Sequence, residues 1–168
     1  ERGELEQAKV SVIIPTLNAG TMIGPLLTRL EQQHRVPDEI IVVDSSSDDN
    51  TVAEVRRHPN VQLTVIDRKD FNHGGTRDRA LRASTGDYVL FLTQDASPKD
   101  DRYIERILQP FEDGRGALVY GRQLPRENAN AAERLIRGYT YGPNSFVITQ
   151  KDVRRLGIKA FRASDVCA

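Results

Sequence analysis

Cysteine is almost absent, since Cys167, beside the C-terminus, is the only one. A single thiol excludes an intrachain disulfide and fits a reducing compartment, so a cytoplasmic location is expected. Charge of one sign is not in excess either. With 24 acidic against 24 basic residues, no long-range field gathers nucleic acid or an anionic membrane, and any anion site has to be local. No apolar run approaches the roughly 20 residues needed to span a bilayer. The N-terminal Glu1-Arg2-Gly3-Glu4 does not resemble a secretory signal. A peripheral contact with a membrane surface stays compatible with this composition. Internal repeats and low-complexity segments are lacking as well.

What remains is an ordinary soluble composition, 38% apolar over 168 residues, enough for one domain with a real core. Short runs rich in Val, Ile, Leu and aromatics predict strands at Val10–Ile14, Glu39–Val43, Val61–Ile66, Tyr88–Leu92 and Ala117–Tyr120. The first, second and fourth read as buried on both faces. Between them, Met22, Ile23, Leu26, Leu27 and Leu30 recur at helical spacing after the turn-forming Asn18-Ala19-Gly20. Further helices are expected behind the cap-rich run Ser45–Asn50, after Asp78, and after Pro98–Asp101. Past Gly121 the pattern loosens, with a helix at Ala131–Ile136 and a strand at Phe146–Thr149.

Strands alternating with helices predict an α/β fold with a mostly parallel sheet covered on both faces. Such sheets take their ligands at the carboxyl ends of the strands. Four polar segments fall there: Pro15–Asn18, Asp44–Thr51, Arg68–Arg77 and Thr93–Pro98. Asp95, just past a strand, suits either a helix cap or a ligand for Mg2+ or Mn2+, hard cations that complete their shell with substrate phosphates. Asp44, at a strand end, suits a turn or an acceptor for the imide N–H of uracil or thymine; Ser47 or Asp48 beside it suits the cap of the next helix. Arg77, after Gly74-Gly75-Thr76, suits phosphate oxygens or a surface ion pair with Asp78. The glycine pair has neither P-loop nor dinucleotide spacing. A receiver-like signalling domain needs an acidic cluster after its first strand, and Pro15-Thr16-Leu17-Asn18 has none. A nucleotidyltransferase needs a glycine-rich basic loop there, and only Gly20 is present.

Taken together and in this order, the segments Val12–Asn18, Val42–Thr51, Thr76-Arg77-Asp78 and Phe91–Pro98 resemble inverting family-2 glycosyltransferases of the GT-A fold, a three-layer sandwich around a mostly parallel sheet. Phe71–Arg77 with Leu92–Ala96, and the terminal Gly157–Phe161 and Ser164–Ala168, resemble the rhamnosyltransferase branch. The resemblance implies a dTDP- or UDP-sugar donor, with dTDP-rhamnose favoured. It also implies a polysaccharide or lipid-linked acceptor at the inner face of the membrane. It divides the chain into an extension at 1–9, a donor-binding region at 10–121 and the start of an acceptor-side region at 122–168.

By the same resemblance, nucleotide contacts are expected from Pro15, Thr16, Asn18, Asp44, Ser46, Gly75, Arg77, Thr93 and Gln94, and a metal contact from Asp95. Asp95 would be the second aspartate of a D-x-D motif whose first position is held here by Thr93. Ser45 and Ser46 stand where many members carry Asp and Gly. The family's general base falls after the segment matching Ser164–Ala168, and Asp165 is the last carboxylate available to replace it. Residues 1–168 alone are therefore expected to bind nucleotide weakly and to transfer sugar poorly or not at all. On that basis the alternative reading is a nucleotide-diphosphate-binding module without catalysis.

Overall fold

The computed structural model describes residues 8–112, 118–125, 129–140 and 148–156. The chain divides into two compact units, Glu1–Arg106 and Ile107–Ala168. The first holds a four-stranded sheet of β1 (Val10–Thr16), β2 (Glu39–Asp44), β3 (Val61–Val65) and β4 (Tyr88–Phe91). Its order is β3-β2-β1-β4 and every pairing is parallel.

Helices connect the strands: α1 (Ile23–Glu31), α2 (Thr51–Val55) and α3 (His73–Ala83). Helix α4 (Tyr103–Glu112) follows β4. The second unit contains α5 (Ala131–Thr140) and α6 (Gln150–Leu156).

Period-2 alternation sends each central strand's side chains to both faces, and both faces are covered. On one, Ile13, Ile41 and Val43 pack with Ala80 of α3, joined by Ile66 and Val89. On the other lie Val12, Ile14, Ile40 and Val42, and α1 contributes the buried Ile23, Leu26, Leu27 and Leu30 at i, i+3, i+4 and i+7. Each such fully buried Ile or Leu contributes roughly 1.5–3 kcal/mol. This is the core that holds the strand ends in register.

The expected strands β1 to β4 are all present, with β1 and β2 running one or two residues further than predicted. Burial on both faces holds for β1 and β2 only. In β4 the side chains are half-exposed and Phe91 is 41% exposed, because among the described residues this strand pairs with β1 alone and lies at the sheet edge. The strand expected at Ala117–Tyr120 does not form over residues 118–120, and none forms over 148–149. Ala117, Phe146 and Val147 lie outside the described residues, as do Gly157–Phe161 and Ser164–Ala168, and with them Asp165.

The third helix begins at His73, five residues before the expected Asp78. Asn72 caps it, its Oδ1 accepting from the Gly75 N–H at 2.7 Å. Two glycines in the first turn hide this start, because glycine is a poor helix former, yet a capped first turn tolerates them.

Candidate functional site

At the carboxyl edge of the sheet, the loops after β1 and β2 are knitted by side chains. The register pairs Thr16 with Asp44, and both side chains are buried. Thr16 Oγ1 donates to Asp44 Oδ1 at 2.9 Å, Ser47 Oγ donates to the same oxygen at 2.5 Å, and the Ser47 N–H donates to Asp44 Oδ2 at 2.8 Å. Asp44 is 0% exposed. Its carboxylate orders the turn that follows it.

That turn reaches across to the β1 loop. The Asn18 N–H donates to Ser47 Oγ at 2.9 Å, and Asn18 Oδ1 accepts from the Asp48 N–H at 2.9 Å. Asn18 and Ser46 both adopt positive φ, 50° and 56°. Asparagine tolerates that region; serine there is uncommon and needs support. Support comes from Ser46 Oγ donating to the Ile66 carbonyl at 2.8 Å, and from Arg68, which donates to the Ser46 carbonyl at 2.7 Å and to Asp48 at 2.6 Å. Beside them Ser45 Oγ is buried without a hydrogen-bond partner.

Asn50 is the N-cap residue of α2 and makes no side-chain capping bond, so neither Ser47 nor Asp48 caps the helix as expected; the side chain that accepts at its start is that of Asp49. Its carboxylate accepts from the Thr51 hydroxyl and, at 2.9 Å each, from the N–H groups of Thr51 and Gly20. The Thr51 hydroxyl foremost, then the backbone donors, hold the Asp49 carboxyl below its ordinary range. Gly20 lies close under this turn: a Cβ there would lie 1.8 Å from Asn50 Oδ1 and 3.0 Å from Asp49 Oδ2, so those side chains would have to shift.

The other expected residues are placed as follows. Pro15 is half-buried in β1 opposite Val43. Gln94 sits on a turn with Asp95, and its side-chain amide pairs with the backbone of Leu17. Thr93 and Asp95 are exposed at the same edge. The Gly75 N–H donates to Asn72 Oδ1 at 2.7 Å. Arg77, one turn into α3, donates to the His73 carbonyl at 3.0 Å; Asp78 pairs with Arg82 rather than with Arg77. The structure therefore joins Thr16, Asn18, Asp44 and Gln94 through one hydrogen-bonded set of loops and leaves Arg77 in its own helix. Ser47 and Arg68 were not singled out as site residues from the sequence. The signal for both was position alone, one in a Ser-rich turn and one after a strand.

No group of three His, Cys, Asp or Glu side chains converges among the described residues. Asp95 offers a single exposed hard oxygen donor at the ligand edge. Such a set fits Mg2+ or Mn2+ completed by phosphate and water, and does not form an all-protein cage.

These loops and this strand order lie within a longer match. Residues 11–168 match the family model described as Glycosyl transferase family 2.

The chain belongs to that family.

It is 41% identical over 152 residues, 90% of its length, to the O-antigen chain rhamnosyltransferase RfbN of Salmonella typhimurium, covering 48% of that protein. The chain spans about half the length of the curated relatives it matches. Among solved structures it is similar to Staphylococcus aureus TarS 1–349 in complex with UDP-GlcNAc, at TM-score 0.56 and 28% identity, over 70% of this chain and 37% of that one. It also shares its fold with the Mycobacterium tuberculosis glucosyl-3-phosphoglycerate synthase solved with Mn2+ and UDP-glucose, at TM-score 0.54 and 24% identity, over 66% of this chain and 43% of that one. The parallel sheet is thus the GT-A arrangement that the sequence motifs imply. No helix among the described residues is long and apolar enough to cross a membrane.

Proposed function

We propose that this chain is the donor-binding part of an inverting glycosyltransferase that moves a sugar, rhamnose in the favoured reading, from a dTDP- or UDP-sugar to a polysaccharide or lipid-linked acceptor. The observation that carries the reading is the 41% identity to an O-antigen rhamnosyltransferase across 90% of the chain, and the family match over residues 11–168 takes in every loop at the carboxyl edge of the sheet. The acceptor is proposed to sit at the inner face of the membrane, reached by peripheral contact.

In this reading the nucleoside end of the donor lies against the loops that Thr16, Asn18, Asp44 and Ser46 order. The diphosphate lies toward Arg77, whose guanidinium is fixed in direction by its bond to the His73 carbonyl. Thr93 and Gln94 flank the turn that presents Asp95, and Asp95 would hold Mg2+ or Mn2+. When bound, that ion supplies positive charge against the departing diphosphate. An acceptor hydroxyl attacks the anomeric carbon as the bond to the diphosphate oxygen breaks, and the hydroxyl proton passes to a general base. None of the described residues is assigned that base.

A thermal-shift panel of nucleotide sugars with Mn2+, repeated on Asp95→Ala, tests the reading. A true donor at 100 times its Kd adds about 2.7 kcal/mol to stability, and Asp95→Ala should remove most of that gain. The reading fails if no nucleotide sugar raises the melting temperature, or if the mutant keeps the full shift.

A further inference from the structure

The strand order reverses at β1: β2 and β3 extend to one side of it, and β4 lies on the other. The carboxyl ends of β1 and β4 therefore flank the switch-point crevice where open parallel sheets take their ligands. The backbone ladder across this crevice stops short. Register pairing ends at Ile13 with Phe91, with one further bond from the Leu92 N–H to the Ile13 carbonyl at 3.0 Å. On its other side β1 stays paired with β2 as far as Thr16. Past Leu92 the two strand ends part, and one side chain rejoins them.

That side chain is Gln94. Its Oε1 accepts from the Leu17 N–H at 2.8 Å and its Nε2 donates to the Leu17 carbonyl at 3.1 Å. A primary amide of this length serves both groups of a single residue at once, so the side chain acts as an added rung between the strands. The next residue is Asp95. Downstream, the Pro98 carbonyl accepts from Arg29 at 2.7 Å and the Asp100 carbonyl from Gln33 at 2.8 Å, both on the C-terminal part of α1 and its extension. Upstream, Leu17 precedes Asn18, which is bonded to Ser47 and through it to Asp44.

We infer that Gln94 is a positioning residue: by bridging the switch point to Leu17, it sets where Asp95 presents its carboxylate relative to the loops ordered by Asp44. This rests on the donor-site reading above and deepens it, because it makes metal binding at Asp95 depend on a residue whose polar atoms are occupied by protein. Partners that orient a metal ligand typically govern 10- to 100-fold in metal affinity.

The test is a Mn2+ titration of the 168-residue chain, followed by electron paramagnetic resonance with and without dTDP. It compares wild type with Asp95→Ala, Gln94→Met and Gln94→Asn. Met matches the length of Gln without its polar atoms, and Asn is polar but one methylene too short. Both Gln94 variants should bind Mn2+ in the dTDP complex about 10- to 100-fold more weakly, a larger loss than any in metal-free dTDP affinity. Their melting temperature should stay close to wild type, since Leu17 is exposed and water replaces the lost bonds. Wild-type Mn2+ affinity in both Gln94 variants, with Asp95→Ala still defective, overturns the inference alone. An equal fall in metal-free dTDP affinity also overturns it, by making Gln94 a nucleotide contact. If wild type shows no Asp95-dependent Mn2+ binding, the donor-site reading falls and the inference with it.

Discussion

The two ends of the β1–β2 pair carry the same chemical device. At the amino edge Ser11 is in register with Glu39; at the carboxyl edge Thr16 is in register with Asp44. In each pair a hydroxyl on β1 donates to a buried carboxylate on β2, at 2.5 Å and 2.9 Å. Their surroundings differ. Glu39 accepts further bonds from the Thr85 N–H at 3.0 Å and from Gln62 at 3.1 Å, and Ser11 Oγ in turn accepts from the Gly86 N–H at 2.9 Å. Asp44 instead organises two facing loops, each with one non-glycine residue at positive φ, and beside it a buried serine hydroxyl is left unpaired.

The comparison teaches that a buried carboxylate is a brace where its neighbours are strand and backbone, and a loop organiser where the strands end. Unusual backbone angles collect at the second kind of place, the edge where parallel sheets bind ligands. The amino edge carries the stability, and the carboxyl edge carries the candidate site.

The strongest way to break the comparison is Gly86→Ala at the amino edge. A Cβ there would lie 2.6 Å from Ser11 N and 2.9 Å from the Tyr88 carbonyl, backbone atoms that cannot swing aside. A loss of about 3 kcal/mol is expected from overpacking, read as a lower urea midpoint, while the protein that remains folded binds nucleotide normally. A wild-type midpoint would mean that the amino edge is not a rigid brace.

Next is Glu39→Ala, which leaves a buried hydroxyl and the Thr85 N–H without an acceptor and should cost about 2 kcal/mol. Its pH dependence sharpens the point. Burial alone would raise the Glu39 carboxyl, but bonds from Ser11, Thr85 and Gln62 outweigh it and hold the group below its ordinary value of 4.5. Between the lowered folded value and 4.5 the unfolded state binds more protons, so stability rises with pH there. The contribution is fully present above the ordinary value and is lost as pH falls through the folded one. Urea melts of wild type and Glu39→Ala should therefore differ by a constant amount at neutral pH and converge in acid. A gap that stays constant into acid would remove the charge from the account.

The smallest stability effect is expected at the carboxyl edge. Asp44→Asn keeps the shape but sets an amide N–H against one of the donors from Ser47 or Thr16, at about 1 kcal/mol. Its larger consequence should be functional: with the loop after β2 no longer ordered, nucleotide-induced stabilisation should fall by more than the fold does. If Asp44→Asn loses stability but binds dTDP as wild type does, the two carboxylates are both braces and the contrast disappears.

Much of this was legible in the residues. Buried β-branched runs and the i, i+3, i+4, i+7 stripe of α1 announce the parallel sheet and its first covering helix, because apolar periodicity is a local property. The polar segments after the strands follow from the topology. Several features were not legible. The start of α3 at His73 depends on one Asn72 bond that compensates two glycines. The exposure of Phe91 depends on which strands flank β4. The use of Asp49, rather than Ser47 or Asp48, as the acceptor at the start of α2 depends on which donors a Ser- and Asp-rich turn meets after it closes.

By itself, then, the sequence determined the family, the alternation of strand and helix, and the set of loops that form the ligand edge, since these rest on residue type and spacing. Tertiary structure alone decided which polar groups those loops use on one another. Asp44 faces Thr16 across 28 residues and Gln94 faces Leu17 across 77. The physical reason is that a hydrogen bond is made at about 3 Å, and only the register of the folded sheet brings such distant residues to that separation.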